Sequence, residues 1–411
     1  MKVLYVVGTC LSKNTSANMS HNGYVQGLLE NGCQVDIIMA TDSWGQEDAF
    51  LPMWENARYY CYPSETLHDK LRKRVRGEIL KPAVSNMDKD SGQKQKARSN
   101  VITALKLHLR EGAKKAFYAL FPTDPRYPLE KQWLKNATKF VADEEYDLVI
   151  SNSSPAASHK LVDILTRNSH LKYKRWIQIW EDPWYYDLYG NHSKVIFDEE
   201  SSLLRSASEV LYVSPLTLIY QQQYFKDCAY KMSQIPLPYL ALPTGNEQLI
   251  GQVSFAYLGD YYSHVRNILP FYQALCKAGA TGYIYGDSDL NLEETDTIEI
   301  SGRVTLNKLA AIQDKTTVLV HLCNLCGGQI PGKIYHYSAT KKPILFILDG
   351  TSQEKKYIKS YFEVYNRYYF CDNDVHSIQL TMEKIKNDIE KGKKWRAVTA
   401  FSPKAVVAQM L

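Results

Sequence analysis

The chain has 411 residues, 45% hydrophobic and 23% charged, a globular composition too long for one ordinary core and suited to two domains. Its net charge of +5 is too small to predict nucleic-acid binding. No apolar run reaches the roughly 18–20 residues needed to cross a bilayer. The eight cysteines follow no framework rhythm, which predicts reduced thiols. Cys323-Asn-Leu-Cys326 has metal-ligand spacing but no second Cys or His pair at a zinc-site interval, so no metal is expected.

Met1–Gly8 reads as a first buried strand, Lys2–Val7, rather than the core of a signal peptide, and predicts a cytoplasmic protein. A polar loop, Gly8–Ser20, follows, then a helix over Asn22–Glu30 stopped by Asn31-Gly32, then a strand over Val35–Ala40. This is a Rossmann-like opening in which Gly8 stands alone, without the Gly-x-Gly-x-x-Gly fingerprint, so no dinucleotide cofactor is expected.

From about residue 60 to 127 the alternation breaks. Leu67–Lys115 holds 14 Lys/Arg against 5 Asp/Glu and reads as a basic insertion. Either it is a solvated helical face or it rests on an anionic membrane surface, which would make the protein peripheral on the inner face of the plasma membrane. Strands resume at Tyr146–Ser151, Trp176–Trp180 and Glu209–Ser214, with helices at Ser158–Arg167 and Asp198–Ala207 between them.

The Pro-rich stretch 236–245 blocks both ladder and helix and reads as a linker. Strand–helix alternation then restarts. Strands are expected at Val253–Leu258, Thr281–Gly286, Val318–Leu322 and Pro343–Leu348, and helices at Arg266–Ala278, Thr305–Asp314, Gly332–Thr340 and Val375–Lys391. The fold class is therefore α/β. Residues 1–235 form a first domain, 246–390 a second, and the apolar Pro403–Leu411 within 391–411 makes a helix that returns to pack on the first.

Ligands of doubly wound sheets bind at the carboxyl ends of the strands. There the second unit places Gly259, Arg266 and Asn267 on one connection, and Gly328-Gln-Ile-Pro-Gly-Lys333 at the start of a helix. Glycines let backbone approach a phosphate, helix N-termini attract anions, and Arg and Lys supply charged donors. The pattern suits the diphosphate of a nucleotide-sugar, with two helix N-termini, one Arg and one Lys converging.

Gly327-Gly-Gln-Ile-Pro-Gly-Lys-Ile-Tyr-His-Tyr-Ser-Ala-Thr-Lys-Lys-Pro343 resembles the donor-site motif of family 4-like glycosyltransferases of GT-B fold. Gly259-Asp-Tyr, Arg266-Asn267, Tyr146–Pro155 with His159, Asp182-Pro-Trp184 and Val213-Ser-Pro215 carry the likeness elsewhere. The resemblance implies two Rossmann-like domains facing a cleft and no cofactor beyond the nucleotide-diphosphate sugar donor. The acceptor would be an oligosaccharide or lipid-linked glycan of surface polysaccharide biosynthesis. Arg266 and Lys333 would hold the diphosphate, Gly259 would admit it, and the amides of Gln329, Ile330, Pro331 and Gly332 would lie beside it.

The family's paired glutamates are replaced here by Gly328 and His336; His336 would contact the ribose through a ring nitrogen. Ser16, Asn18 and Ser20 would face the cleft from the first domain. Asp182, His159 and Glu181 are the candidate catalytic groups, able to take a proton or steady a developing charge. A nucleotide-sugar epimerase of the same fold, or a degenerate transferase acting as a scaffold, are the alternatives.

Overall fold

The computed structural model describes residues 1–41, 47–48, 51–64, 126–187, 192–240 and 252–411. The basic insertion, apart from its edges, and the end of the linker lie outside the described residues, and with them the membrane-surface reading.

The first sheet has seven strands: β1 (Lys2–Val6), β2 (Gln34–Ala40), β3 (Ala57–Tyr62), β4 (Tyr146–Ser153), β5 (Tyr173–Trp180), β6 (Glu209–Tyr212) and β7 (Met232–Gln234). Their order is β3-β2-β1-β4-β5-β6-β7, and every pairing is parallel. Among the described residues the crossovers include α1 (Ser16–Glu30), α2 (Lys131–Ala137), α3 (Ala157–Arg167) and α4 (Lys194–Ser206), with α5 (Pro215–Tyr224) before β7.

The second sheet has six strands: β8 (Ser254–Leu258), β9 (Thr281–Tyr285), β10 (Ile298–Ser301), β11 (Val318–Leu322), β12 (Ile344–Leu348) and β13 (Tyr368–Asp372). Its order, β10-β9-β8-β11-β12-β13, is again all parallel. Its helices are α6 (Leu269–Ala278), α7 (Leu306–Lys315), α8 (Lys333–Ser338), α9 (Ser352–Glu363) and α10 (Val375–Glu390). Strands such as Ile344–Leu348 are buried at every position, as a parallel sheet covered on both faces requires.

Both sheets reverse direction of winding at one point, between β1 and β4 and between β8 and β11. Such switch points open a crevice at the strand ends. Each domain thus brings its crevice to the same side, and the two face one another across a cleft. This is the GT-B arrangement of two Rossmann-like units.

The C-terminal helix α11 (Pro403–Ala408) lies on α1 of the first domain. A Cβ added to Gly27 would sit 2.2 Å from the Pro403 carbonyl oxygen, so the two helices touch backbone to backbone. The chain reaches α11 along Trp395–Ser402, where Val398 donates its N–H to Ser338 O at 2.8 Å and Phe401 O accepts from Tyr239 N at 3.0 Å.

Two boundaries differ from the sequence reading in ways that matter. Helix α1 begins at Ser16, not Asn22, because Thr15 caps it by accepting the Asn18 N–H at 3.1 Å. Helix α6 begins at Leu269, leaving Arg266 in the preceding turn, where its N–H bonds Tyr262 O at 2.9 Å.

Candidate functional site

A cavity of about 140 Å³ lies between the domains. Asn14, Thr15, Ser16 and Met19 line it from the first domain, at the entry to α1. From the second come the strand-end residues Gly259, Asp260, Tyr285, Gly286 and Arg303, then Val304, Leu306, Leu309 and Gln313, and finally Lys333, His336 and Tyr337 from α8. Its lining combines the cations Lys333 and Arg303 with the carboxylate of Asp260, glycine backbone, the amides of Asn14 and Gln313, and apolar side chains.

Gly286 is there because backbone passes too close for a side chain, and Gly259 because the lysine stem lies tight against it. A Cβ on Gly286 would lie 2.0 Å from Gly259 O. One on Gly259 would meet Lys333 Cε at 3.3 Å, so the bare backbone is what lets the lysine stem lie across it.

Burial lowers the Lys333 ammonium to about 8; Asp260 opposes that shift, while Arg266 and Arg303 add to it. A buried ammonium with two guanidiniums near it is favoured by an anion brought beside it. Arg303 forms an ion pair with Asp260, whose other oxygen accepts the Asp287 N–H at 2.9 Å, so the connections after β8, β9 and β10 are tied together. Arg266 is held by Asn324 Oδ1 at 2.9 Å and Asp260 O at 2.8 Å.

His336 is half-buried, and burial followed by the Lys333 charge lowers it to about 4. Its Nδ1 accepts the Leu240 N–H at 3.3 Å. A neutral ring accepting at Nδ1 carries its proton on Nε2, so this cavity-lining residue has a donor to offer.

The rest of the Gly328–Gly332 segment joins the domains. Ser214 Oγ donates to Gly328 O at 2.5 Å, and Gln329 Nε2 donates to Asp182 Oδ1 at 2.8 Å. Ile330 is buried in the core, and a Cβ on Gly332 would stand 3.5 Å from Ser16 Oγ. Pro331 lies two positions before α8 and is half-buried. Glu354 steadies the loop from behind, accepting the Gly327 N–H at 2.8 Å while completing the capping box of α9.

Outside the cavity lining, in the turn after β5, Asp182 is open to solvent yet hemmed in by protein. Desolvation and Asp187 push it up to about 6, while Gln329 and Arg266 pull it back. Burial, with Asp182 next, raises Glu181 well above the usual carboxylate range, and its Oε1 is buried without a hydrogen-bond partner. Buried Glu200 holds the turn beyond them, accepting the N–H groups of Trp184 at 3.4 Å and Tyr185 at 2.7 Å.

The remaining expected residues are placed elsewhere. His159 is fully buried in the first-domain core, with Nδ1 on Ser151 Oγ at 2.7 Å and its ring 4.2 Å from that of Trp180. Asn18 is also fully buried: its Nδ2 donates to Cys10 O at 2.9 Å and Lys13 O at 2.8 Å, stitching the loop before α1. Ser20 is buried inside α1 with Oγ 3.5 Å from Ser16 O, so of the three loop residues Ser16 alone lines the cavity. Asn267 Oδ1 accepts the Leu269 N–H at 3.3 Å at the entry to α6, and Gly8 is packed against Pro155, whose Cγ would be 2.8 Å from a Cβ. Cys323 is buried and Cys326 exposed, and no cluster of metal-ligating side chains occurs among the described residues.

Arg303, Asp260 and Glu200 were missed by sequence reasoning. The signal for Arg303 was faint: a short alternating strand, Ile298-Glu-Ile-Ser301, ending in Gly302-Arg303.

No family model matches the chain, and no curated protein does. Among solved structures, a glycosyltransferase from Rickettsia africae is 11% identical, covering 100% of this chain and 91% of that one at a TM-score of 0.48. An E. coli protein described as trehalose-6-phosphate and bound with UDP-2-fluoro glucose is 10% identical, covering 100% and 93% at 0.48. A UDP-N-acetylglucosamine 2-epimerase described as putative, from Listeria monocytogenes, is 9% identical, covering 100% and 90% at 0.44. At such identities and scores it is the strand order and the facing crevices that define the architecture: the chain is a two-domain α/β protein of GT-B fold.

Proposed function

We propose that the chain is a glycosyltransferase that takes a sugar from a nucleotide-diphosphate donor and passes it to a glycan or lipid-linked acceptor. The observation that carries this reading is an interdomain cavity lined together by Lys333, Arg303, His336 and the bare glycine backbone of Gly259 and Gly286. The diphosphate lies against Lys333 and Arg303 and the ribose hydroxyls meet His336 Nε2–H. The nucleobase lies over Leu306 and Leu309.

In the transfer, the bond between the anomeric carbon and the donor phosphate oxygen breaks, and the diphosphate keeps the electron pair. Lys333 and the neighbouring guanidiniums stabilise that charge as it develops. An acceptor hydroxyl forms the new bond and gives up its proton. In this reading Asp182, ionised at neutral pH with its value near 6 and hydrogen-bonded to Gln329 before α8, receives it.

The test is a screen of UDP- and GDP-sugars for nucleotide release, with and without glycan acceptors. Release that requires acceptor and is lost in Lys333→Met is the expected result. Release independent of acceptor supports the epimerase alternative. Absence of both nucleotide binding and release ends the transferase reading.

A further inference from the structure

A second cavity, of about 380 Å³, lies at the opposite end of the second sheet from the cleft. Arg367, directly before β13, opens onto it, and strands of a parallel sheet carry their cleft residues at the other end. Lys393, Lys394, Trp395 and Arg396 form its far wall, on the segment that leaves α10 for the first domain. Four cationic side chains line it and no carboxylate does.

Arg367 is 3% exposed, so its charge is built into the wall rather than spread on the surface. Its Nη2 donates to Thr340 O at 2.9 Å, which fixes the guanidinium plane. Lys393 is partly compensated by Asp388, 2.8 Å away, and lies over the ring of Trp395, 6.0 Å from its centroid. Lys394 and Arg396 are exposed at the mouth. A buried guanidinium beside two exposed cations suits a compact multivalent anion.

We propose that this cavity binds a phosphate-bearing anion, separately from the cleft. The site also has a mechanical link to the cleft. Thr340, held by Arg367, follows α8, whose first residue is Lys333 and which also carries His336; Ser338 on the same helix accepts the Val398 N–H from the cavity's other wall. An anion held by Lys394 and Arg396 beside Arg367 therefore bears on the segment that carries Val398 and, through Ser338, on the donor helix.

The experiment uses the full chain carrying Lys333→Met, which weakens the cleft as an anion site, with inorganic phosphate as the probe in equilibrium dialysis. Phosphate binding is expected. Adding Lys394→Ala with Arg396→Ala should weaken it at least tenfold, whereas Lys394→Arg with Arg396→Lys should retain it. Both positions are exposed, so loss of fold does not confuse the reading. Co-sedimentation with vesicles of phosphatidylcholine and phosphatidylglycerol, abolished by the alanine pair and absent with phosphatidylcholine alone, assigns a lipid headgroup as the source. No co-sedimentation alongside retained phosphate binding assigns a soluble phosphate ester. Phosphate binding that the alanine pair leaves unchanged, or no phosphate binding at all, overturns the site. Failure of nucleotide binding to the wild-type chain would concern the cleft and leave this result standing.

Discussion

Lys333 carries its charge against the pull of its surroundings, and that makes it a reporter. With its value lowered from 10.5 to about 8, the folded protein releases a proton near pH 8 that the unfolded chain keeps to higher pH. This group therefore destabilises the fold below pH 8, and its penalty fades as pH rises from about 8 towards the unfolded value. A bound diphosphate reverses the shift, because an anion beside the amine favours the ammonium. Nucleotide diphosphate binding at pH 8.5 should then take up protons, and the observed calorimetric enthalpy should vary with the ionisation heat of the buffer. At pH 6.5 that dependence should vanish for this group, and Lys333→Met should remove it at pH 8.5 while weakening binding by about 2 kcal/mol, as for a charge-assisted contact. Uptake that persists in Lys333→Met would place the proton elsewhere. His336, lowered to about 4, stays neutral across this range and contributes donor geometry rather than charge.

At the scale of the element, the Gly327–Ser338 segment explains why the chain departs from the motif it resembles. Gly328 has φ +72°, a left-handed conformation, and a Cβ there would lie 2.6 Å from Leu216 Cβ on α5. Putting the family's glutamate back is therefore sterically refused. Gly328→Glu should cost about 2–4 kcal/mol of stability, combining backbone strain with overpacking, and should not raise turnover. Thermal unfolding beside a nucleotide-release assay checks it; a stable, more active variant would contradict the packing argument. The same segment shows where sequence was legible. Its glycines, Pro331 and Lys333 announced a turn into a helix at a strand end, and both were found. That the stretch from Gly328 to Gly332 joins the domains through Ser214 and Asp182 was invisible, because those partners lie more than a hundred positions away. Helix α1 failed in the other direction. Ser16-Ala-Asn-Met-Ser20 has no apolar period and reads as loop, yet it is helical because Asn18 and Asn22 bury their amides on the carbonyls of Cys10, Lys13 and Leu11.

For the whole molecule, the alternation of apolar runs and amphipathic stretches was enough to read two parallel units and a returning helix. The weaker edge strands, β3, β7, β10 and β13, were not read, since short or half-exposed segments such as Met232–Gln234 carry little pattern. The return of α11 onto α1 is one contact by which the C-terminal segment joins the first domain. Gly27→Val would push a side chain into the Pro403 backbone and should lift α11 off α1. Limited proteolysis should then cut near residues 396–402 sooner than in the wild-type chain, with a lower first-domain melting temperature. Unchanged cleavage would mean that Phe401 and the Val398–Ser338 bond hold the segment unaided.

That same packing sets an order on synthesis. Strands β1 to β7 leave the ribosome first, but the helix that covers α1 is made only after the last strand of the second sheet. Until then the α1 face that receives Val406 and Val407 is bare apolar surface on a domain otherwise ready to fold. The first domain thus waits, through the making of the second, with the patch most prone to stray contacts uncovered. A nascent chain stalled before residue 403 should be captured by hydrophobic-binding chaperones, and one released at full length should not.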